Sequence, residues 1–159
     1  VDFHQIYLEH AAAVHRFAVG LTADRTLADD LTADAFVRLW TAPGDIRQPT
    51  IRAYLCTIVR NLYVSHLRKA RRATALDDTL ADPVDRVVAP IERRSETAAA
   101  MRALAVLSAG DREALLMRVA DLSYVEIAQG LNITVAAAKV RVHRARVRLL
   151  RAREEQSWK

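Results

Sequence analysis

Cations set among aromatic and amide side chains are the residues of this chain with the clearest chemical use. One segment carries Arg52, Tyr54, Arg60, Asn61, Tyr63, His66, Arg68, Lys69, Arg71 and Arg72. Another carries Lys139, Arg141, His143, Arg144, Arg146 and Arg148. Guanidinium and ammonium groups neutralise phosphates, and aromatic or amide groups hold an unstacked base. Residues 46–76 contain seven bases and no acid, and residues 127–153 again contain seven bases and no acid. Two separate unopposed basic stretches imply two contacts with a polyanion. Composition alone does not settle it, because an aromatic in a helical stripe, Tyr54 included, is more often a core residue.

The side chains that would mark an enzyme are missing from the pattern. There is no glycine-rich phosphate loop, no H-E-x-x-H and no Cys/His ligand cluster. The five histidines are scattered at 4, 10, 15, 66 and 143. No catalysis, metal, cofactor or small-molecule substrate is therefore expected. The single cysteine, Cys56, excludes an internal disulfide framework and reads as a small core residue in an apolar run.

The elements that position the basic segments are helices. Apolar residues make up 52% of 159 positions, and only four Gly and four Pro occur, too few for the tight turns of an all-β chain. The expected fold class is all-α, with two helical domains joined by a flexible linker. Phe3, Ile6, Tyr7, Val14, Phe17, Ala18 and Leu21 follow the helical period of about 3.6 residues, with Gly20 and Thr22 marking an end. Thr26 with Asp29 resembles a capping box opening a second helix to about Trp40. Its face is Leu27, Leu31, Ala35, Phe36 and Leu39. Pro43, Gly44 and Pro49 define a loop before a third helix from Ile51 to Ala73. The apolar side of that helix uses Tyr54, Leu55, Ile58, Val59, Leu62 and Leu67.

Residues 1–45 hold seven acids against three bases. Residues 76–96 are acidic and aperiodic, with Pro83 and Pro90, and read as a linker between domains at 1–75 and 97–155. An acidic segment between two basic modules is usually just solvated, although transient self-masking is open to it.

Helical periodicity resumes at Ser95, with Ala99, Met101, Leu104, Ala105 and Leu107. Ser108 with Asp111 suggests a cap for a helix through Leu115, Leu116 and Val119. Ser123 with Glu126 is an S-x-x-E box starting a short helix from Tyr124 to about Gly130. Asn132 follows at a turn where positive φ is expected, Ile133 packs inward, and Thr134 caps a long last helix to about Arg153. Short helix, tight turn and capped longer helix form the helix-turn-helix grammar. Ile127 and Ala128 face the partner helix. Ala138, Val142, Ala145 and Leu149 line the buried side of the last helix. Such a second helix docks in the DNA major groove with its N-terminal residues at base edges. Arg144 and Lys139 suit guanine; Arg141, Arg146 and Arg148 suit phosphates. A solvated basic face would show the same charge, but not the same cap, turn and buried-face spacing.

The order of these segments resembles extracytoplasmic-function (ECF) sigma factors of the sigma-70 family. Asp30-Leu31-Thr32-Ala33-Asp34-Ala35-Phe36-Val37-Arg38-Leu39-Trp40 is similar to the D-L-x-x-x-A-F-x-R-x-W stretch of region 2. Arg52-Ala53-Tyr54-Leu55-Cys56-Thr57-Ile58-Val59-Arg60-Asn61 resembles the R-A-W-L-x-x-I-A-R-N helix. Ser123-Tyr124-Val125-Glu126-Ile127-Ala128 matches S-Y-x-E-I-A of region 4, and Lys139 to Arg146 matches K-S-R-x-x-R-A-R. Departures are Ala136-Ala137-Ala138 in place of G-T-V, Val140 in place of Ser, and Asn132 in place of Gly.

The resemblance implies a bipartite promoter binder. Asp30, Asp34, Phe36, Arg38, Leu39 and Trp40 would dock on core RNA polymerase. Arg52, Tyr54, Arg60, Asn61, Arg68, Lys69 and Arg71 would capture the melted −10 strand, with Asn61 and the loop from Gly44 to Thr50 forming a pocket for a flipped base. Thr134, Lys139, Val140, Arg141, His143, Arg144 and Arg146 would read the −35 element. The implied partners are core RNA polymerase, promoter DNA and an anti-sigma factor. The expected location is cytoplasmic without membrane insertion, since no apolar run nears about 18 residues and no signal-peptide pattern occurs. The rival reading is a stand-alone helix-turn-helix regulator with an N-terminal sensor domain. Such a sensor needs neither the Trp40 motif nor the Arg60-Asn61 helix.

Overall fold

The computed structural model describes residues 2–42, 44, 48–76 and 95–157. They form α1 (Phe3–Thr22), α2 (Arg25–Thr41), α3 (Gln48–Leu76), α4 (Ser95–Ala105), α5 (Ala109–Val119), α6 (Tyr124–Leu131) and α7 (Val135–Ser157). No strand occurs among the described residues, in line with the all-α expectation. The acidic segment falls, from 77 to 94, outside the described residues, and so does most of the loop before Gln48.

Local chemistry sets the helix ends. The Asp2 carboxylate accepts from the His4 N–H at 3.1 Å and caps α1. The helix ends where Gly20 and Thr22 mark it. It runs to Thr22 and ends at Ala23, which takes the left-handed conformation (φ 56°) and donates its N–H to Val19 O. Gly20 also serves packing: a Cβ there would lie 2.8 Å from Leu116 Cδ2 on α5. The cap of α2 is Asp24, accepting from Leu27 N–H at 3.2 Å, and not the box expected at Thr26 and Asp29. Thr26 already lies inside the helix. The third helix starts three residues earlier than periodicity predicts, at Gln48, and takes Pro49 and Thr50 into its first turn. Proline is tolerated there because a first-turn N–H has no helical acceptor.

Helices α1, α2 and α3 pack on one another around Val14, Phe17, Leu31, Phe36, Leu55 and Val59. Each such side chain contributes roughly 1.5–3 kcal/mol by leaving water. Cys56 is fully buried among them, as its apolar setting predicts. Tyr7, expected on the apolar face of α1, is 47% exposed instead. Tyr54 and Leu67 likewise stand at the solvent edge of α3.

Helices α5, α6 and α7 enclose Met117, Leu122, Ile127, Ala138 and Val142, and α4 rests on α7. Ser108 caps α5 through Asp111 N–H, as its sequence position predicts. Arg112 closes the end of α4, donating from Nε to Leu104 O at 3.0 Å and from Nη2 to Leu107 O at 3.1 Å. Val119 departs from its expected apolar face and is 72% exposed.

The two groups of helices touch. α3 packs on α5 and α6, α1 packs on α5, and the buried apolar cluster is continuous across the junction.

Candidate nucleic-acid interface

The turn between α6 and α7 is built as its sequence dictates. Ser123 Oγ accepts from Glu126 N–H at 3.1 Å while Glu126 Oε1 accepts from Ser123 N–H at 2.9 Å, a complete capping box. Asn132 adopts φ 55°, ψ 49°, the left-handed region that asparagine tolerates better than most residues. Ile127 and Ala128 are buried against α7. Thr134 Oγ1 accepts from Ala137 N–H at 3.0 Å and starts α7. Ala138, Val142 and Ala145 point inward and Leu149 is partly buried.

The opposite side of α7 presents Lys139, Val140, His143 and Arg146 to solvent. Three of its cations are oriented from within the protein. Arg144 is paired bidentately with Asp111 at the start of α5, Nε to Oδ2 at 3.2 Å and Nη2 to Oδ1 at 2.8 Å. Those hydrogen bonds, with the carboxylate's charge, hold the guanidinium pKa above its ordinary value. Arg141 lies against Gly110, where a Cβ would stand 2.8 Å from Nη1. The Lys139 ammonium sits 5.8 Å from the centre of the Tyr124 ring, which also receives Arg118 at 5.2 Å.

Helix α3 carries the second basic set. At about 1.5 Å per residue its 29 residues span roughly 43 Å. Arg68, Lys69, Arg71 and Arg72 are exposed along its C-terminal part. Nearer its start, Thr50, Ala53, Tyr54, Thr57, Ile58 and Asn61 form one stripe at helical spacing. This stripe lines a cleft of about 420 Å³ whose far wall is Glu126, Gln129 and Gly130 of α6. Asn61 Oδ1 accepts from Arg60 Nη1 at 3.2 Å.

Two arginines of the expected −10 set face inward. Arg60 Nε donates to Glu113 Oε2 at 3.3 Å, and Glu113 is buried. Arg52 has more partners: Nε donates to His10 Nδ1 at 3.2 Å, Nη2 to Glu9 O and Nη1 to Ala120 O, with Asp121 Oδ2 3.6 Å away. Burial, helped by the Arg52 charge and opposed by Glu9, lowers the His10 pKa, which keeps the ring neutral and able to accept.

On α2, Asp30, Asp34 and Arg38 are exposed and Trp40 is 67% exposed. Phe36 and Leu39, expected with them as docking residues, are in the core. Phe36 still borders a groove of about 730 Å³ between α1 and α2, together with Phe3, Tyr7, Val37 and Trp40. Phe3 packs edge-on to Trp40 with ring centroids 4.7 Å apart. Among the described residues, the one acid lining this apolar groove is Asp29, bonded to His15 at 2.6 Å, and such a groove suits the apolar face of a partner helix.

Sequence reasoning missed the acids that hold these arginines. Asp111 was read as a capping position and Glu113 was not singled out. The place of Glu113 on one helical stripe with Met117 and Ala120 was the available signal, because a carboxylate buried there needs a partner.

Two basic helices, one of them in a helix-turn-helix, describe a DNA-binding protein of the sigma-70 kind, and comparison with known proteins agrees. Residues 6–73 match the sigma-70 region 2 family and residues 97–149 match sigma-70 region 4. The ECF RNA polymerase sigma factor SigL of Mycobacterium tuberculosis is 33% identical over 153 residues, covering 92% of this chain and 85% of SigL. The ECF RNA polymerase sigma factor SigM of Bacillus subtilis is 27% identical over 148 residues, covering 91% of each. Among solved structures, the sigma factor RpoE of Bartonella quintana, in complex with the anti-sigma factor NepR, superposes with TM-score 0.77 at 30% identity over 93% of this chain and 94% of that one. CnrH, in complex with the cytosolic domain of CnrY, gives 0.69 at 27% identity over 96% and 88%. The chain belongs to the ECF RNA polymerase sigma factors, which are transcription initiation factors.

Proposed function

We propose that the chain works as two modules, residues 1–75 and 97–155, joined by the acidic segment 76–96, and that each module holds one part of a promoter. The −35 reader is the exposed side of α7. Lys139, Val140, His143 and Arg146 contact DNA directly, with Thr134 at the helix start, while Arg141 and Arg144 brace the helix and reach phosphates from their edges. Val140 offers apolar contact to a thymine methyl where a hydroxyl is common in the family. The −10 strand lies along α3, with Asn61 and Tyr54 at the flipped base and Arg68, Lys69 and Arg71 on phosphates. Arg52 and Arg60 reach DNA only after leaving their inward partners. Core polymerase takes the groove between α1 and α2, with Trp40 as anchor and Asp30, Asp34 and Arg38 around it; Phe36 and Leu39 support that surface from beneath.

The observation that carries this reading is the pairing of a complete helix-turn-helix with a second exposed basic helix, α3, in one chain. Trapping unstacked bases offsets a few kcal/mol of unstacking per step, and the protein itself performs no catalysis. It acts in the cytoplasm. No described helix is long and apolar enough to cross a membrane. An anti-sigma protein holds it inactive, as the NepR and CnrY complexes of its structural neighbours suggest.

Run-off transcription with core polymerase over a promoter library tests the assignment. Wild type initiates at promoters sharing two spaced elements. Asn61→Ala loses open complexes yet still binds core polymerase. Loss of core binding in Asn61→Ala makes Asn61 a structural residue instead.

A further inference from the structure

The base-reading end of α7 is chemically sparse. Its first six residues, Val135 to Val140, include a single side chain able to donate a hydrogen bond, that of Lys139. The N-terminal residues of a recognition helix meet base edges, so polar readout at that end falls to one lysine. We infer that Tyr124 and Arg118 are positioning residues for it: they fix the Lys139 ammonium so that it reads guanine in the −35 element instead of following phosphates. The inference rests on the assignment of α7 to that element.

The need comes from lysine itself. Its ammonium is a point charge on a flexible four-carbon stem, and ordering that stem costs rotamer entropy. Alone on an exposed helix face, such a charge goes to the nearest phosphate whatever the base sequence. Lys139 is exposed but not alone. Its ammonium stands 5.8 Å from the centre of the Tyr124 ring, within cation–π reach. A ring and a carboxylate orient a cation differently. Asp111 orients Arg144 and also supplies a countercharge. Tyr124 orients Lys139 and leaves its charge for guanine O6 and N7.

The ring is itself held in place. Tyr124 is the first residue of α6, directly after Ser123, whose reciprocal bonds with Glu126 fix the backbone there. Its side chain is half-buried and packs against the apolar cluster. From α5, the Arg118 guanidinium lies 5.2 Å from the same ring centre and is anchored by Nη1 donating to Leu122 O at 3.0 Å. Two cations near one ring repel each other, so the anchored guanidinium limits where the mobile ammonium can settle. The reading lysine of α7 is thus set from α5 and α6 together, by two residues outside both basic stretches of the sequence.

The test uses the whole chain with core polymerase and a promoter set carrying each of the four bases at every −35 position. Run-off yield gives a base preference for each position. Lys139→Ala identifies the position Lys139 reads, as the one where a guanine preference disappears. Tyr124→Leu should lower the preference at that same position about two- to fivefold, the size of an exposed cation–π contact, and leave the other positions as in wild type. Tyr124→Phe keeps the ring and should keep the preference. Arg118→Gln leaves the apolar core intact, should lower the preference at the same position, and decides the case should Tyr124→Leu not fold. Tyr124→Leu added to Lys139→Ala should cause no further loss there, because the ring then has no ammonium to place.

The inference is overturned if Tyr124→Leu weakens every −35 position alike, if Tyr124→Phe loses as much as Tyr124→Leu, or if Arg118→Gln keeps the wild-type profile. Lys139→Ala separates the two claims. A guanine preference that vanishes in Lys139→Ala and survives in Tyr124→Leu leaves α7 as the −35 reader and removes the positioning. A profile unmoved by Lys139→Ala removes Lys139 from base reading, and the positioning falls with it.

Discussion

At the scale of single residues, the charge of an arginine is written in the sequence and its partner is not. Arg144 lies in a run of cations and reads there as a base contact. Asp111, its partner, is 33 positions earlier and enters only through folding. The bidentate pair fixes how α7 lies on α5, so Arg144→Ala should lower the melting temperature and weaken transcription from all −35 promoters alike. Arg144→Lys should not restore it, because a point charge cannot reproduce the two-pronged contact. A loss confined to promoters with one particular base would return Arg144 to base reading. The same blindness hid Glu113 and the enclosure of Arg52 by His10, Glu9 and Ala120.

At the scale of elements, legibility followed the locality of the cause. The capping box at Ser123, the left-handed turn at Asn132 and the cap at Thr134 each depend on residues within a few positions, and all are present as read. Ser123→Ala should cost about 1 kcal/mol in a denaturant titration, since it removes one arm of that box. An unchanged midpoint would mean that packing of Ile127 and Ala128 alone places α6. The start of α2 was misread because Asp24 and Thr26 both offer a capping oxygen. Ala23, turning into the left-handed region, brings Asp24 into position. Gly20 and Thr22 marked the end of α1 correctly, but the contact of Gly20 with a helix some ninety positions away was not legible. Phe36 and Leu39 were read as docking residues although the helical period already put both on the buried stripe with Leu31 and Ala35.

At the scale of the molecule, the all-helical class and the two basic stretches were plain from composition and order, and the meeting of α3 with α5 and α6 was not. No local pattern encodes Thr57 against Gly130 or Arg60 against Glu113. That junction bears on the proposed function, in which each half holds only part of the DNA-reading surface. Both halves on one polymerase raise each other's effective concentration. The isolated chain relies on exposed cations such as Arg68, Lys69 and Arg71, whose attraction for a polyanion fades with salt.

The central claim is that promoter recognition belongs to the complex with polymerase. The direct measurement is the anisotropy of a labelled promoter fragment, titrated with the purified chain with and without core polymerase at one fixed salt concentration. Tight, sequence-dependent binding should appear only with core enzyme, and the chain alone should bind weakly and lose that binding as salt rises. Tight binding by the chain alone, unchanged when core polymerase is added, would contradict the account and point to a stand-alone regulator.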